Sequence, residues 1–328
     1  MSGLPFLKWC GGKRALLPSI LPLVPPAVDT YYEPFLGGGA VFFALASERR
    51  FARAVLSDIN LELVRSYRAL QADVDSVLRA LDRHVHTKEH YLRIREQQPA
   101  HLSDAACAAR MIVLNRAGFN GLYRVNRQGQ FNVPFGRQRL LDGFIQPERL
   151  RAAAAALDDA RVEICHGDFR EAQPGPTDFA YYDPPYVPVS KTAGFTSYAG
   201  TRFGAEEHAA LAQLIRDHNR EQIPALLSNS DCEATRQLYR NLACCEVGAR
   251  RPVNRDPSGR GAVGELLVMT WTVAGTWQRL RESIDEERDP RQATLFEAPV
   301  AVQPFRRRAR GAQRRHPGEL GDRSRAAQ

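Results

Sequence analysis

The chain has almost no lysine. Of its 45 basic residues only four are lysines (Lys8, Lys13, Lys88 and Lys191); the other 41 are arginines. Its six cysteines (Cys10, Cys107, Cys165, Cys232, Cys244 and Cys245) form no C-x-x-C pair. That argues against a zinc site or a disulfide framework, and no metal site is expected; isolated thiols fit a reducing cytosol. No apolar run approaches the ~18–20 residues that a membrane helix needs. The N-terminal residues lack the charged, apolar and small-residue succession of a secretory signal. A cytoplasmic protein without membrane contact is expected.

The net charge of +8 is unevenly placed. Between Gln303 and Gln328 eight arginines stand against two acids, so most of the excess sits there. That tail has almost no apolar residues, a composition expected to stay disordered. It either adds salt-sensitive attraction to phosphates or is a dispensable solvated end. The length of 328 residues accommodates one large α/β core and an inserted subdomain.

What is present is more specific. Asp178 to Tyr182 reads as a buried strand that stops at Asp183-Pro184-Pro185-Tyr186. Proline has no N–H for the ladder and restricts the residue before it. The turn therefore holds a carboxylate, two proline carbonyls and an aromatic ring at the carboxyl end of a strand, where open α/β sheets bind ligands. Such a set can accept both hydrogens of an exocyclic amine while the ring stacks on a planar base. An ordinary Asp-Pro turn is the plain alternative.

Tyr31 to Leu45 reads as strand, glycine turn and helix around Glu33-Pro34-Phe35-Leu36-Gly37-Gly38-Gly39. Glycines there let backbone approach a ligand closely. A second apolar run, Ala54 to Leu56, ends in Ser57-Asp58, and Asp58 lies 21 residues beyond Gly37. That spacing puts an acidic side chain on a ribose hydroxyl. The pattern is not G-x-G-x-x-G, so an adenosyl ligand without a pyrophosphate fits better than a dinucleotide; the alternative is a helix cap followed by an exposed acid. In Phe6-Leu7-Lys8-Trp9-Cys10-Gly11-Gly12-Lys13 two of the four lysines share one octet, which points to a need for a compact ammonium. Finally, Leu122–Val125 and Gln130–Val133 flank a short loop with Gly129, a hairpin signal. The hairpin is rich in Arg, Asn and Gln, which read bases and phosphates, although a polar surface hairpin would look similar.

Together, in order, KWCGGK, EPFLGGG, LSD, NRAGFNGLYRVNRQGQFNVPFG, YYDPPYVPVSKTAGFTSY and LLSNSD resemble the Dam-like DNA adenine-N6 methyltransferases. The resemblance covers roughly residues 5 to 272. It implies a Rossmann-like α/β methyltransferase sheet with an inserted helical and hairpin target-recognition subdomain. The catalytic domain would span residues 1–70 and 160–275, the recognition subdomain 71–159 and the basic tail 276–328. The implied cofactor is S-adenosylmethionine, held by Trp9, Lys13, Glu33, Phe35, Gly37, Gly39, Asp58, Asp168 and Asp183. The catalytic set is Asp183, Pro184, Pro185 and Tyr186. Double-stranded DNA would meet Leu122, Arg124 and Pro134 at base edges, and Arg116, Asn120, Asn126 and Arg137 at phosphates, with GATC as the site. A monomer on DNA is expected, and a cognate restriction endonuclease is one functional partner that fits such an enzyme. Methylation of an RNA base or a glutamine amide, and a silent DNA-binding regulator of the same fold, are the alternatives.

The expected elements are strands 30–35, 54–58, 162–165, 178–183 and 225–228, then a final pair near 244–248 and 265–272. Helices are expected at 39–50, 60–71, 149–157, 205–219 and 232–241, with 73–118 mainly helical. Val74, Val77, Leu78 and Leu81 make one helical stripe there. A mobile loop is expected before Gly204, and a basic loop over 249–264 that either contacts phosphates or is a flexible tip.

Overall fold

The structure is a computed structural model that describes residues 5–9, 11–136, 144–158, 160–188, 203–249, 263–276 and 278. Arg137, Cys10, the loop before Gly204, most of the basic loop and the tail lie outside the described residues.

Along the chain the elements are α1 (Leu17–Ile20), β1 (Val28–Glu33), α2 (Ala40–Ser47), β2 (Phe51–Asp58) and α3 (Leu61–Ala72). There follow α4 (Val74–Leu81), α5 (Lys88–Glu96), α6 (Asp104–Ala117) and α7 (Pro147–Ala156). The chain then makes β3 (Val162–His166), β4 (Phe179–Tyr182), α8 (Ala205–Arg220), β5 (Ala225–Ser230), α9 (Glu233–Leu238), β6 (Ala243–Ala249) and β7 (Val263–Met269). The strands form one seven-stranded sheet in the order β3-β2-β1-β4-β5-β7-β6. The first five are mutually parallel, and β7 runs antiparallel between β5 and β6.

Side-chain alternation in β4 shows how the sheet is covered on both faces. Phe179 and Tyr181 join one apolar cluster with Tyr31, Leu56 and Leu226, while Ala180 and Tyr182 join another with Leu211, Ile215 and Leu227. All four β4 residues are buried, as a strand between two helical layers requires. Helix starts follow capping chemistry: Asn60, Asp73, Thr87 and Ser103 each accept a backbone N–H from the first turn of the helix they precede.

Strand β1 pairs with β2 on one side and β4 on the other. The chain order reverses there, the usual place for a ligand crevice in an open α/β sheet. The carboxyl ends of β1, β2 and β4 bring Glu33, Asp58 and Asp183 to the same edge. Because β7 is antiparallel, its amino-terminal part reaches that edge too, with Glu265 opposite Ser230.

Between α3 and β3 the chain builds α4 to α7 and the hairpin region. Its entry and exit are tied together: Gln71 Nε2 donates to the carbonyls of Leu157 (3.0 Å) and Val162 (2.8 Å).

Four expectations need correction, the first being the last strand, expected over 265–272, which ends at Met269 and gives way to helix from Trp271. The helix expected over 39–50 ends at Ser47, because Arg49 adopts a left-handed φ of 55° and turns the chain into β2. Strand β2 is longer than expected and starts at Phe51, whose partner is Val28. The hairpin forms no continuous ladder; Val125 opposite Phe131 and Gly118 opposite Phe135 are isolated bridges. Side chains replace the missing ladder, as Arg124 Nε donates to Asn132 Oδ1 at 2.7 Å and Asn126 Nδ2 to Gln130 Oε1 at 3.0 Å.

Candidate functional site

The Asp183 carboxylate is gripped from two sides. Lys13 Nζ lies 2.8 Å from Oδ2, and Ser228 Oγ donates to Oδ1 at 2.9 Å. Burial pushes the Asp183 carboxyl upward, while the Lys13 ammonium and the Ser228 hydroxyl pull it back toward ionisation. Each oxygen keeps a lone pair for a further donor. The Lys13 ammonium also donates to the Gly11 carbonyl at 2.5 Å and sits 4.8 Å from the centre of the Tyr186 ring. Tyr186 in turn donates its hydroxyl to Glu265 Oε2 at 2.6 Å, which anchors the ring. Val187 N–H donates to Asn229 Oδ1 at 3.0 Å, so the turn after the prolines is pinned to β5.

The glycine turn lies beside this carboxylate. Gly37 and Gly39 have φ of 47° and 65°, a region that penalises a Cβ. Asp58 Oδ2 accepts the Gly37 N–H at 3.0 Å, its Oδ1 accepts the Asn60 N–H at 2.9 Å, and Tyr67 donates to the Gly37 carbonyl at 3.1 Å. Asp58 thus braces the turn; burial raises its carboxyl, opposed by those two N–H donors. Glu33 is buried beneath the turn. Its Oε2 accepts from the Tyr31 hydroxyl (2.8 Å) and from Phe42 N–H (3.0 Å) in the first turn of α2. Burial pushes Glu33 up to about 8, against those bonds and with the Asp183 charge adding to the rise. Trp9 covers the turn: a Cβ added at Gly37 or Gly38 would come within 2.8 or 2.9 Å of its side chain.

On the other side of the edge Phe35 stacks on Phe169 (5.4 Å between ring centres) and meets Phe203 edge-on at 5.7 Å. Asp168 caps the short turn Phe169–Glu171 and is held by Arg170 at 2.9 and 3.0 Å. His208, buried against Phe203 at 4.8 Å between ring centres, has two ring nitrogens without a hydrogen-bond partner among the described residues.

In the hairpin region Tyr123, Val125, Phe131 and Val133 are buried, whereas Leu122, Arg124, Asn126 and Asn132 are half-buried and Pro134 is exposed. The alternation separates a buried row from a more exposed outward row of Leu122, Arg124 and Pro134, in which Leu122 still packs in part against the core. Arg116, at the end of α6, donates to Gln146 Oε1 at 3.1 Å. Asn120 takes a left-handed φ of 56° next to Phe119, which is 47% exposed. Asn126 uses its amide to close the loop, since Oδ1 also accepts the Gln128 and Gln130 N–H groups, both at 3.0 Å.

A model of the D12 class N6 adenine-specific DNA methyltransferases matches residues 9–253. The chain belongs to this family. Similar proteins include the DNA adenine methylase of Vibrio cholerae serotype O1, 38% identical over 274 residues, covering 80% of this chain and 95% of the relative. The Type II methyltransferase M1.LlaDCHI of Lactococcus lactis subsp. cremoris is 36% identical over 277 residues, with 81% and 95% covered. The Type II methyltransferase M.MjaIII of Methanocaldococcus jannaschii is 33% identical over 288 residues, with 81% and 99% covered.

In this D12-class enzyme the sheet edge thus gathers Lys13, Glu33, Phe35, the glycine turn, Asp58 and the Asp-Pro-Pro-Tyr turn. It also holds groups that motif reading missed. Ser228 and Asn229 lie in Leu226-Leu227-Ser228-Asn229-Ser230-Asp231, the last of the matching motifs, whose residue types alone imply no particular role. Glu265 and Phe203 had no local signal; antiparallel β7 brings in the first and aromatic packing the second. No helix among the described residues is long and apolar enough to cross a membrane.

Proposed function

We propose that the enzyme transfers a methyl group from S-adenosylmethionine to N6 of an adenine flipped out of duplex DNA, within GATC. The observation that carries this reading is the Asp183 carboxylate, fixed by Lys13 and Ser228 at the reversal between β1 and β4. The residues at this edge suit the cofactor: aromatic faces at Phe35, a carboxylate at Asp58 beside the glycine turn and, behind Phe203, a buried His208 imidazole whose nitrogens have no hydrogen-bond partner among the described residues. S-adenosylmethionine, when bound, supplies an electrophilic methyl on a sulfonium.

Asp183 and the Pro184 carbonyl accept the two N6 hydrogens. They hold the amine in line and stabilise the positive charge that grows on nitrogen as the N6–methyl bond forms and the sulfonium–methyl bond breaks; the surplus N6 proton then leaves by way of Asp183. No strong base is needed before the bond forms. Lys13 orients Asp183 and favours its ionised form against the effect of burial. Tyr186, steadied by Glu265, stacks on the extruded base, while Pro185 keeps the turn stiff. Extrusion itself costs roughly a few kcal/mol. Phe35 would pack on the adenosyl group, Asp58 would hold its ribose and Asp168 its adenine, while Trp9, Glu33, Gly37 and Gly39 shape the turn.

Residues 71–159 act as the target-recognition insertion, within a catalytic domain of 1–70 and 160–275. Its outward row supports contacts of Leu122, Arg124 and Pro134 with base edges. Arg116, Asn120, Asn126 and Arg137 set the register on phosphates. The reading is of a cytoplasmic monomer on DNA, with a restriction endonuclease as functional partner in a restriction setting.

Incubation with tritiated S-adenosylmethionine and duplex DNA, then digestion to nucleosides, tests the proposal. Label in N6-methyldeoxyadenosine is expected. Label only in RNA or in a glutamine amide, or none at all, would overturn it.

A further inference from the structure

The Trp9 side chain has two neighbours that belong to different halves of the molecule. One face covers the glycine turn, where a Cβ on Gly37 or Gly38 would meet it at 2.8 or 2.9 Å. Against its ring lies Tyr123, stacked at 5.4 Å between ring centres and 21° between planes. Tyr123 stands in the hairpin between Leu122 and Arg124, and it meets Phe131 of the opposite arm edge-on at 5.5 Å. Its hydroxyl reaches Glu62 Oε2 at 3.4 Å, in the first turn of α3, which follows Asp58 and Asn60. Glu62 is itself paired with buried Arg110 of α6. Tyr123 is only 8% exposed, so little solvent intervenes in these contacts.

We infer that Tyr123 is a positioning residue that couples occupancy of the methyl-donor site to the placement of the recognition hairpin. This rests on the proposed reading of the glycine turn as donor site and of the outward row as DNA-facing. Bridges in the hairpin are isolated, so side-chain packing rather than a continuous ladder holds it in place. A ligand that fixes the glycine turn fixes Trp9, and Trp9 fixes the ring whose backbone neighbours carry Leu122 and Arg124. Coupling of this kind is reciprocal: the donor tightens duplex binding by the factor by which duplex tightens donor binding.

The full chain is tested by amide hydrogen exchange with and without S-adenosylhomocysteine, and by duplex titration in both conditions. In the wild type, saturation should slow exchange at the cross-hairpin N–H groups of Asn126 and Asn132, and tighten duplex binding, by about 5–10-fold. In Tyr123→Leu the product affinity by calorimetry should stay within about threefold while both effects vanish. Tyr123→Phe keeps the ring and should keep them. Product binding to the wild type without any change at Asn126 and Asn132 would overturn the coupling alone. So would Tyr123→Leu with undiminished coupling. No product binding to the wild type would overturn the donor-site reading and the coupling with it. If Tyr123→Leu does not fold, the wild-type exchange and Tyr123→Phe decide: equal rates in the two wild-type states, or coupling lost in Tyr123→Phe, refute the inference.

Discussion

Lys13 and Asp183 form an ion pair of 2.8 Å between the N-terminal segment and the carboxyl end of β4. The lysine side chain is 5% exposed and the aspartate 21%, so the pair is screened little by solvent. In a chain that uses arginine for nearly all of its basic residues, the choice has a reason. A compact ammonium can bond Gly11, reach Asp183 and lie over Tyr186 at once, which a planar guanidinium cannot reproduce.

Asp183→Ala should reduce single-turnover methyl transfer by at least about a thousandfold, since it removes an acceptor of the charge-bearing amine. It should also lower stability by roughly 2–4 kcal/mol, because Lys13 is left buried without its anion. Urea unfolding and rapid-quench assays read the two effects; turnover near wild type would remove Asp183 from the chemistry.

Glu33 gives a pH signature. Burial raises its carboxyl from the ordinary glutamate range to about 8. A raised carboxyl binds a proton more tightly in the folded state, so its contribution is complete below the unfolded value and is lost as pH rises through the folded one. Glu33→Gln keeps the acceptor for Tyr31 and Phe42 but cannot ionise. The variant should gain on the wild type between pH 5 and about 8, by a few kcal/mol in all, and then level off. Denaturant midpoints at pH 5, 6.5 and 8 check this; a constant difference across the three would refute it.

Asp58→Ala should weaken S-adenosylmethionine binding by about tenfold or more, while transfer at saturating donor changes by no more than about threefold. A contact kept from ground state to transition state affects affinity rather than rate. Calorimetry showing unchanged affinity would leave Asp58 with only its bonds to Gly37 and Asn60.

Arg124 tests the hairpin. Its guanidinium is oriented by Asn132, with Nε at 2.7 Å from the side-chain oxygen. A bidentate contact to guanine O6 and N7 is worth about 1–3 kcal/mol of discrimination. Arg124→Ala should therefore relax one base pair of the methylated motif, as read by single-molecule sequencing of plasmid from a methylase-free host. An unchanged motif would show that the hairpin braces the fold, and a wild-type mark confined to a site other than GATC would refute the site assignment.

Much of this edge was legible from local chemistry. Prolines after Asp183 mark where β4 must stop, and glycines at 37 and 39 mark where φ must turn positive. Asp58 was legible as an acid at a strand end, but its bond to Gly37 depends on β1 and β2 being adjacent. Ser228 and Glu265 were hidden for a related reason. They reach Asp183 and Tyr186 through strand order and direction, which no short segment encodes. The hairpin was visible as a turn between two apolar-polar runs. Its broken ladder was not, because the bonds made by Arg124 and Asn126 depend on side-chain geometry rather than residue type.

The clasp made by Gln71 has a further consequence. By bonding the carbonyls of both Leu157 and Val162, it makes the long excursion between α3 and β3 leave and return at one point. Strand β3 is thereby delivered beside β2, where Val162 pairs with Ala54. The excursion is bound to the sheet side as well as closed on itself, because α6 packs on α3 and its Arg110 pairs with Glu62, so a change of sequence in α6 must be matched on the facing side of α3.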